Sequence, residues 1–195
     1  MRPQHPDRPA GALRRRYRRL RRQRAPACRQ HAGDRPRGEA PTADRRGEAP
    51  AHEPRSAVIV YLDSSAVLRV LLRQAKPLSV WRRWERAYSS ELLGVEARRV
   101  IDRLRLEGAL DDAGVADVHE ELARIEGAIG SIPLTRPVLR RAALPMATVV
   151  RTPDAIHLAS ALLLRERRGV TLVFATHDPQ QARGARALGF ECAGV

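Results

Sequence analysis

A chain of 195 residues, 43% of them hydrophobic, is long enough for one domain of ordinary size with a packed core. No apolar run approaches the length of a membrane span, and the N-terminus lacks the apolar centre of a secretory signal. No membrane partner and a cytoplasmic location are therefore expected. The net charge of +14 favours polyanionic partners and says nothing about fold.

The charge is unevenly spread. Residues 1–56 hold 16 Arg, no Lys, 6 acidic residues and eight prolines, centred on RRRYRRLRRQR at positions 14–24. Residues 57–195 hold 20 basic and 16 acidic residues, so the extreme charge belongs to the front segment. Such a composition buries too little apolar surface to offset its ordering entropy. A disordered Arg/Pro-rich extension over 1–56 is expected ahead of a folded domain over 57–195. Two readings of the extension are open. It is a basic arm for nucleic acid, or it is upstream sequence from a misplaced start codon. Arg, Ala, Gly and Pro all have GC-rich codons, which favours the second reading, with Val58 or Val60 as a GTG start. Cys28 and Cys192 form neither a disulfide framework nor a metal-ligand spacing, so a reducing compartment is the simpler expectation.

In the domain, Val58-Ile59-Val60-Tyr61-Leu62 is a continuous apolar run suited to a strand buried on both faces of a parallel sheet. Asp63 breaks it, and Ser64-Ser65 open a helix reaching about Arg73. A carboxylate at the end of a buried strand stands where open α/β sheets bind ligands, although Asp is also an ordinary helix cap. Beyond Lys76-Pro77, the residues Leu78, Val80, Trp81, Trp84 and Tyr88 fall at helical spacing, and the tryptophans suit core or interface packing. Ser89-Ser90 is expected to cap a long helix ending at Gly108. Within it Leu92, Glu96, Val100 and Leu104 recur every four residues. This puts Glu96 inside an apolar stripe facing the core, where an unpaired carboxylate is costly. Glu91, in the first turn, has the ordinary explanation of the helix dipole.

Asp111-Asp112 opens a helix to about Gly127 with solvated acids. Ser131-Ile132-Pro133-Leu134 suits a short strand, and a helix follows Arg136-Pro137 to about Met146. Thr152 is expected as the cap, and Pro153 as the first residue, of a helix running to Gly169. Its Ala155, Ala159, Ser160 and Ala161 permit close packing. Asp154 has a first-turn explanation, and His157 reads as a buried, satisfied histidine rather than a ligand. Residues 171–175 repeat the buried-strand pattern and lead into Thr176-His177-Asp178-Pro179, where Asp178 and Gln181 suit a reciprocal cap. Residues 190–195 suit a short edge strand. Strands alternating with helices across long crossovers predict an α/β fold with a central parallel sheet.

Caps account for Asp63, Asp154 and Asp178 one at a time; Glu96 has no such account. If the strands are parallel neighbours, Asp63 and Asp178 share one edge of the sheet. Gathered carboxylates repel unless a cation compensates, and hard oxygen ligands select Mg²⁺ or Mn²⁺.

At these residues the chain resembles a known family. YLDSSAVL, SSELLGVEARR, RTPDAIHLASAL and FATHDPQQARGARALGF look like the four motif regions of PIN-domain ribonucleases, in particular the VapC toxins of type II toxin–antitoxin pairs, over about residues 58–195. The resemblance implies a PIN-like three-layer fold, with helices flanking the sheet, and a metal-dependent endoribonuclease that hydrolyses phosphodiester bonds of RNA. It carries catalytic and metal-binding roles onto Asp63, Glu96, Asp154 and Asp178, with Mg²⁺ (or Mn²⁺) as cofactor. Asp63, Glu96 and Asp154 are expected as the main metal shell, with Asp178 completing it or holding a second ion. Supporting hydroxyls fall on Ser65 and Thr176.

Arg151, beside Asp154, is a candidate RNA-phosphate contact. Arg69, Arg73, Arg98 and Arg99 are further candidates on what reads as a solvated face. Aromatics are scarce, so backbone charge and RNA shape should matter more than stacking. The implied partners are the RNA substrate, a homodimeric second copy to whose contact Trp81 and Trp84 contribute, and a VapB-like antitoxin. The antitoxin would insert a peptide into the acidic groove, with a basic side chain displacing the metal. The 57-residue front departs from the pattern, since such toxins begin almost directly at the first strand.

Two rival readings stand beside this one. A non-catalytic nucleic-acid-binding protein would draw its affinity from the basic N-terminal tail, and the presence of all four acids argues against it. A haloacid-dehalogenase-like phosphatase would need a second Asp two residues after the first, where Ser65 stands.

Overall fold

The two apolar runs expected as buried strands form neighbouring strands at the centre of a five-stranded parallel sheet. The computed structural model describes residues 58–78, 81 and 84–195. The expectations for the extension over 1–56, for Cys28 and for Val80 lie outside these residues. The strands are β1 (Ile59–Leu62), β2 (Arg86–Ser90), β3 (Gly130–Ile132), β4 (Leu172–Ala175) and β5 (Glu191–Ala193). The described helices are α1 (Ser64–Leu71), α2 (Leu92–Leu106), α3 (Asp112–Ala128), α4 (Arg136–Ala142), α5 (Thr152–Arg168) and α6 (Pro179–Ala187), and they flank the sheet.

The strand order is β3-β2-β1-β4-β5, every pair parallel. β1 and β4 run in register from Ile59 opposite Leu172 to Leu62 opposite Ala175. Their ends therefore coincide: Asp63 N donates to Ala175 O at 2.9 Å, and Thr176 N to Ala193 O at 3.0 Å. Between the sheet and α5, Tyr61 stacks on Phe174 with ring centroids 5.2 Å apart, against buried Leu158, Ala161 and Leu162. Ala155, Ala159, Ser160 and Ala161 are all buried, as their small side chains allow. Gly169 ends α5 in the left-handed region at φ 62°, which glycine adopts without a Cβ penalty.

Several local expectations are corrected. The expectation of helical spacing through Tyr88 is corrected at its end: residues 86–90 are β2, a strand between β1 and β3. Polar Ser89 and Ser90 are tolerated there, almost fully buried, because their hydroxyls are satisfied. Ser89 Oγ donates to Leu62 O at 2.7 Å, and Ser90 Oγ accepts from Leu92 N at 3.2 Å. Helix α2 thus starts at Leu92 with Glu91 as its N-cap residue, and the Glu91 carboxylate accepts from Leu134 N at 3.1 Å.

The buried row of α2 is Leu93, Ala97 and Ile101, one position on from the expected stripe. Both rows are largely apolar, and packing against neighbouring elements decides between them; Glu96 sits at the margin with 28% of its side chain exposed. Helix α4 ends at Ala142, short of Met146, and α5 takes Arg151 rather than Thr152 as its N-cap, with Arg151 N donating to Asp154 Oδ2 at 3.3 Å. Asp178 does cap α6, its Oδ1 accepting from Gln180 N and Gln181 N. Gln181 does not reciprocate; it is fully buried and its side-chain amide lies 2.9 Å from Thr176 Oγ1 instead. No helix among the described residues is long and apolar enough to cross a membrane.

Candidate active site

Because β1 and β4 end together, the loops that follow them supply adjacent side chains at the carboxyl edge of the sheet. Asp63 caps α1 and is 4% exposed. Its Oδ2 accepts three hydrogen bonds: from Ser65 N at 3.1 Å, Ser65 Oγ at 2.6 Å and Thr176 Oγ1 at 3.0 Å. Ser65 Oγ in turn accepts from His177 N at 2.8 Å, and Thr176 Oγ1 from Asp178 N at 3.0 Å. Both hydroxyls expected to support the site therefore hold one carboxylate oxygen, and they tie the β1 and β4 loops together.

Glu96 reaches the same place from the first turns of α2. Its Oε2 accepts from Ser64 Oγ and lies 2.9 Å from His157 Nε2. His157 Nε2 is also 3.1 Å from Ser64 Oγ and 3.8 Å from Asp63 Oδ1. Asp63 and Glu96, from two different elements, thus stand on either side of one imidazole, and Ser64, next to Asp63 in the chain, holds Glu96. On α5, Asp154 lies one turn before His157, so a single helix face delivers both groups.

The electrostatics agree with this grouping. Burial pushes the Glu96 carboxyl up, but hydrogen bonds from His157 and Ser64 more than offset it and hold the group below the usual glutamate range. Asp154 moves the other way. Burial raises it, the Arg151 N–H bond opposes, and the charges of Asp63 and Asp178 raise it further. Asp154 therefore feels both strand-end acids without a compensating cation of matching strength.

Among the described residues, no three Asp, Glu, His or Cys side chains stand in a ready-made coordination arrangement. The donor chemistry nevertheless fits a hard divalent ion. The site offers carboxylate oxygens, among the described residues no hydrogen bond falls on Asp63 Oδ1, and at Asp154 burial and the charges of Asp63 and Asp178 outweigh what Arg151 offsets.

Arg151 is exposed at the N-cap of α5, beside Asp154. The other candidate arginines have surface partners. Arg98 forms a two-pronged pair with Glu126 at 2.7 and 2.8 Å, Arg99 meets Asp102 at 3.2 Å, and Arg69 donates to Ala75 O at 2.9 Å. Trp81 and Trp84 are half-buried and meet edge to face at 5.0 Å. A cleft of about 300 Å³ is lined by Leu93, Val95, Arg98 and Glu126 among others, and none of the four acids lines it.

Sequence reasoning missed Ser64, Tyr61 and Gln181, and it read His157 as buried and satisfied without seeing what satisfies it. The signal for His157 was its three-residue offset from Asp154, which places both on one face. Nothing local distinguished Ser64 from Ser65.

A PIN domain is matched over residues 60–187, a span holding all four acids. Ribonuclease VapC47 of Mycobacterium tuberculosis (strain CDC 1551 / Oshkosh) is 30% identical over 140 residues, which cover 68% of this chain and 93% of that protein. Among solved structures, FitAcB from Neisseria gonorrhoeae is similar with a TM-score of 0.45 and 19% identity, covering 68% of this chain and 95% of that one. FitAB bound to an IR36 DNA fragment is similar with a TM-score of 0.48 and 19% identity, covering 68% and 92%.

Proposed function

The chain belongs to the PIN-domain family as a VapC-type toxin ribonuclease, and from that premise we propose that Asp63, Glu96, Asp154 and Asp178 are the residues with which it hydrolyses RNA. The observation that carries the assignment is the meeting of Asp63 and Glu96 at His157, at 3.8 and 2.9 Å, at the carboxyl edge of the sheet. Asp63, Glu96 and Asp154 would hold Mg²⁺ or Mn²⁺, with Asp178 beside them. The bound ion supplies an acidified water and charge stabilisation on the phosphodiester.

The chain's own residues do the positioning. Ser65 and Thr176 lock one oxygen of Asp63, so the carboxylate keeps its direction while substrate arrives. Arg151 meets a phosphate flanking the scissile bond and sets the register of the strand without reading sequence. In-line attack of water at phosphorus leaves a 5′-phosphate and a 3′-hydroxyl. An antitoxin of the VapB type covers the acidic edge, and a second copy docks through the surface bearing Trp81 and Trp84.

The test is incubation of the chain with single-stranded and hairpin RNA in Mg²⁺ or Mn²⁺, followed by end-group analysis. Cleavage with 5′-phosphate ends is expected, and EDTA should stop it. Asp63→Asn and Glu96→Gln should each abolish cleavage and growth arrest, lowering the rate at least about 100-fold with the circular dichroism spectrum unchanged. Either variant retaining full nuclease activity would refute the residue assignment.

A further inference from the structure

We propose that His157 is a positioning residue for Glu96, held in its Nε2–H tautomer by Tyr61 so that it fixes one oxygen of Glu96 and leaves the other facing the acidic edge. This rests on the reading of Glu96 as a metal ligand given above. His157 is 1% exposed and spans two layers of the fold. Its Nδ1 lies 2.8 Å from Tyr61 Oη in the sheet, and its Nε2 lies 2.9 Å from Glu96 Oε2 on α2.

The proton positions follow from the partners. Ser90 N donates to Tyr61 Oη at 3.2 Å, so the one phenolic proton is free to point at Nδ1. A phenol carries its proton at neutral pH, so Tyr61 has one to give. A donor at Nδ1 places the ring proton on Nε2, where it meets the Glu96 carboxylate. Ser64 Oγ donates to the same Oε2. Among the described residues no hydrogen bond falls on Glu96 Oε1, the oxygen left for a cation. Partners that orient a ligand in this way govern affinity for the metal as strongly as ligand identity does.

The experiment measures Mn²⁺ binding to the full chain by loss of the free-ion electron paramagnetic resonance signal. Gln at 157 reaches the place of Nε2 with an N–H; Asn is shorter and does not. His157→Asn and Glu96→Gln should each weaken Mn²⁺ binding by about 10–100-fold, while His157→Gln stays within about threefold of the parent chain. The double variant His157→Asn/Glu96→Gln should bind no more weakly than Glu96→Gln alone, since both act through one carboxylate. Nitrogen-15 shifts of the ring should report the proton on Nε2.

Parental affinity in His157→Asn alongside weakened Glu96→Gln overturns the positioning role; so do losses that multiply in the double variant, or a proton on Nδ1. Unchanged affinity in Glu96→Gln overturns the ligand assignment, and this inference falls with it. Should His157→Asn fail to fold, Tyr61→Phe carries the test, since it keeps the ring stacked on Phe174 and removes only the hydroxyl. It should shift the ring toward a mixture of tautomers and weaken Mn²⁺ binding, and unchanged nitrogen-15 shifts would overturn the proposal.

Discussion

Asp154 and Glu96 sit in one site with opposite proton preferences, and the signs have consequences that can be measured. For Asp154 the raised pKa means that the native state binds its proton more tightly than the unfolded chain does. Its contribution is therefore stabilising at acid pH and is lost as pH rises through the raised value. Asp154→Asn keeps an oxygen able to accept from Arg151 N and removes the charge. This variant should melt higher than the parent at pH 7 without metal, by up to about 1 kcal/mol given the solvent screening of a half-exposed group. The gap should close at acid pH, and cleavage should be lost; equal melting of the two proteins at pH 7 would contradict the electrostatic account. Glu96 has a lowered pKa, so its contribution is present above the usual glutamate range and disappears as pH falls through the lowered value. Acid should consequently loosen the contact between α2 and α5 while relieving Asp154.

At the scale of elements, β2 is the piece that brings α2 to the site. It pairs with β1 on one side and β3 on the other, and the Tyr88 ring lies over Gly130 of β3, its register partner. A methyl group on Gly130 would collide with the near side of that ring, which cannot swing away as a flexible chain end would. Gly130→Ala should therefore cost about 1–3 kcal/mol, the usual range for overpacking, measured by urea unfolding. Tyr88 pairs with Gly130 on a strand whose end sets the start of α2, so the variant should also weaken Mn²⁺ binding. Full stability in Gly130→Ala would mean that β3 shifts freely and that β2 is not clamped from that side. Gln181 plays a comparable part on the other flank. It turns inward to Thr176 and so links α6 to the hydroxyl that holds Asp63.

For the whole molecule, the parallel sheet explains why acids far apart in sequence meet. All strands point the same way, so every β-to-α loop opens on one edge, and the two central strands end beside each other. The domain over 57–195 contains every residue assigned to the chemistry. A chain shortened to these residues should cut RNA in the same way as the full protein. It should show a shallower dependence of RNA binding on salt, because the 16 arginines of residues 1–56 would no longer displace counterions. Loss of cleavage on shortening, with circular dichroism intact, would move part of the active machinery into the front segment.

What could be read in the chain itself was whatever depends on near neighbours. The runs at 58–62 and 171–175, the acids that end them, the Thr152-Pro153 helix start and the glycine at 169 each announce an element through a few consecutive residues. The α/β class followed from their alternation, and the family likeness followed from the four motifs. β2 did not announce itself, because Arg86-Ala87-Tyr88-Ser89-Ser90 has no apolar run and owes its strand state to pairing with β1 and β3. The facing row of α2 was ambiguous for a related reason: two adjacent rows are both apolar, and only packing chooses. The partners of Glu96 were beyond reach altogether. Ser64 and His157 come from parts of the chain that meet only once the sheet is assembled, and hydrogen bonds between such parts leave no trace in sequence spacing. Local pattern determined the elements and their ends; long-range packing alone decided which side chains share a proton.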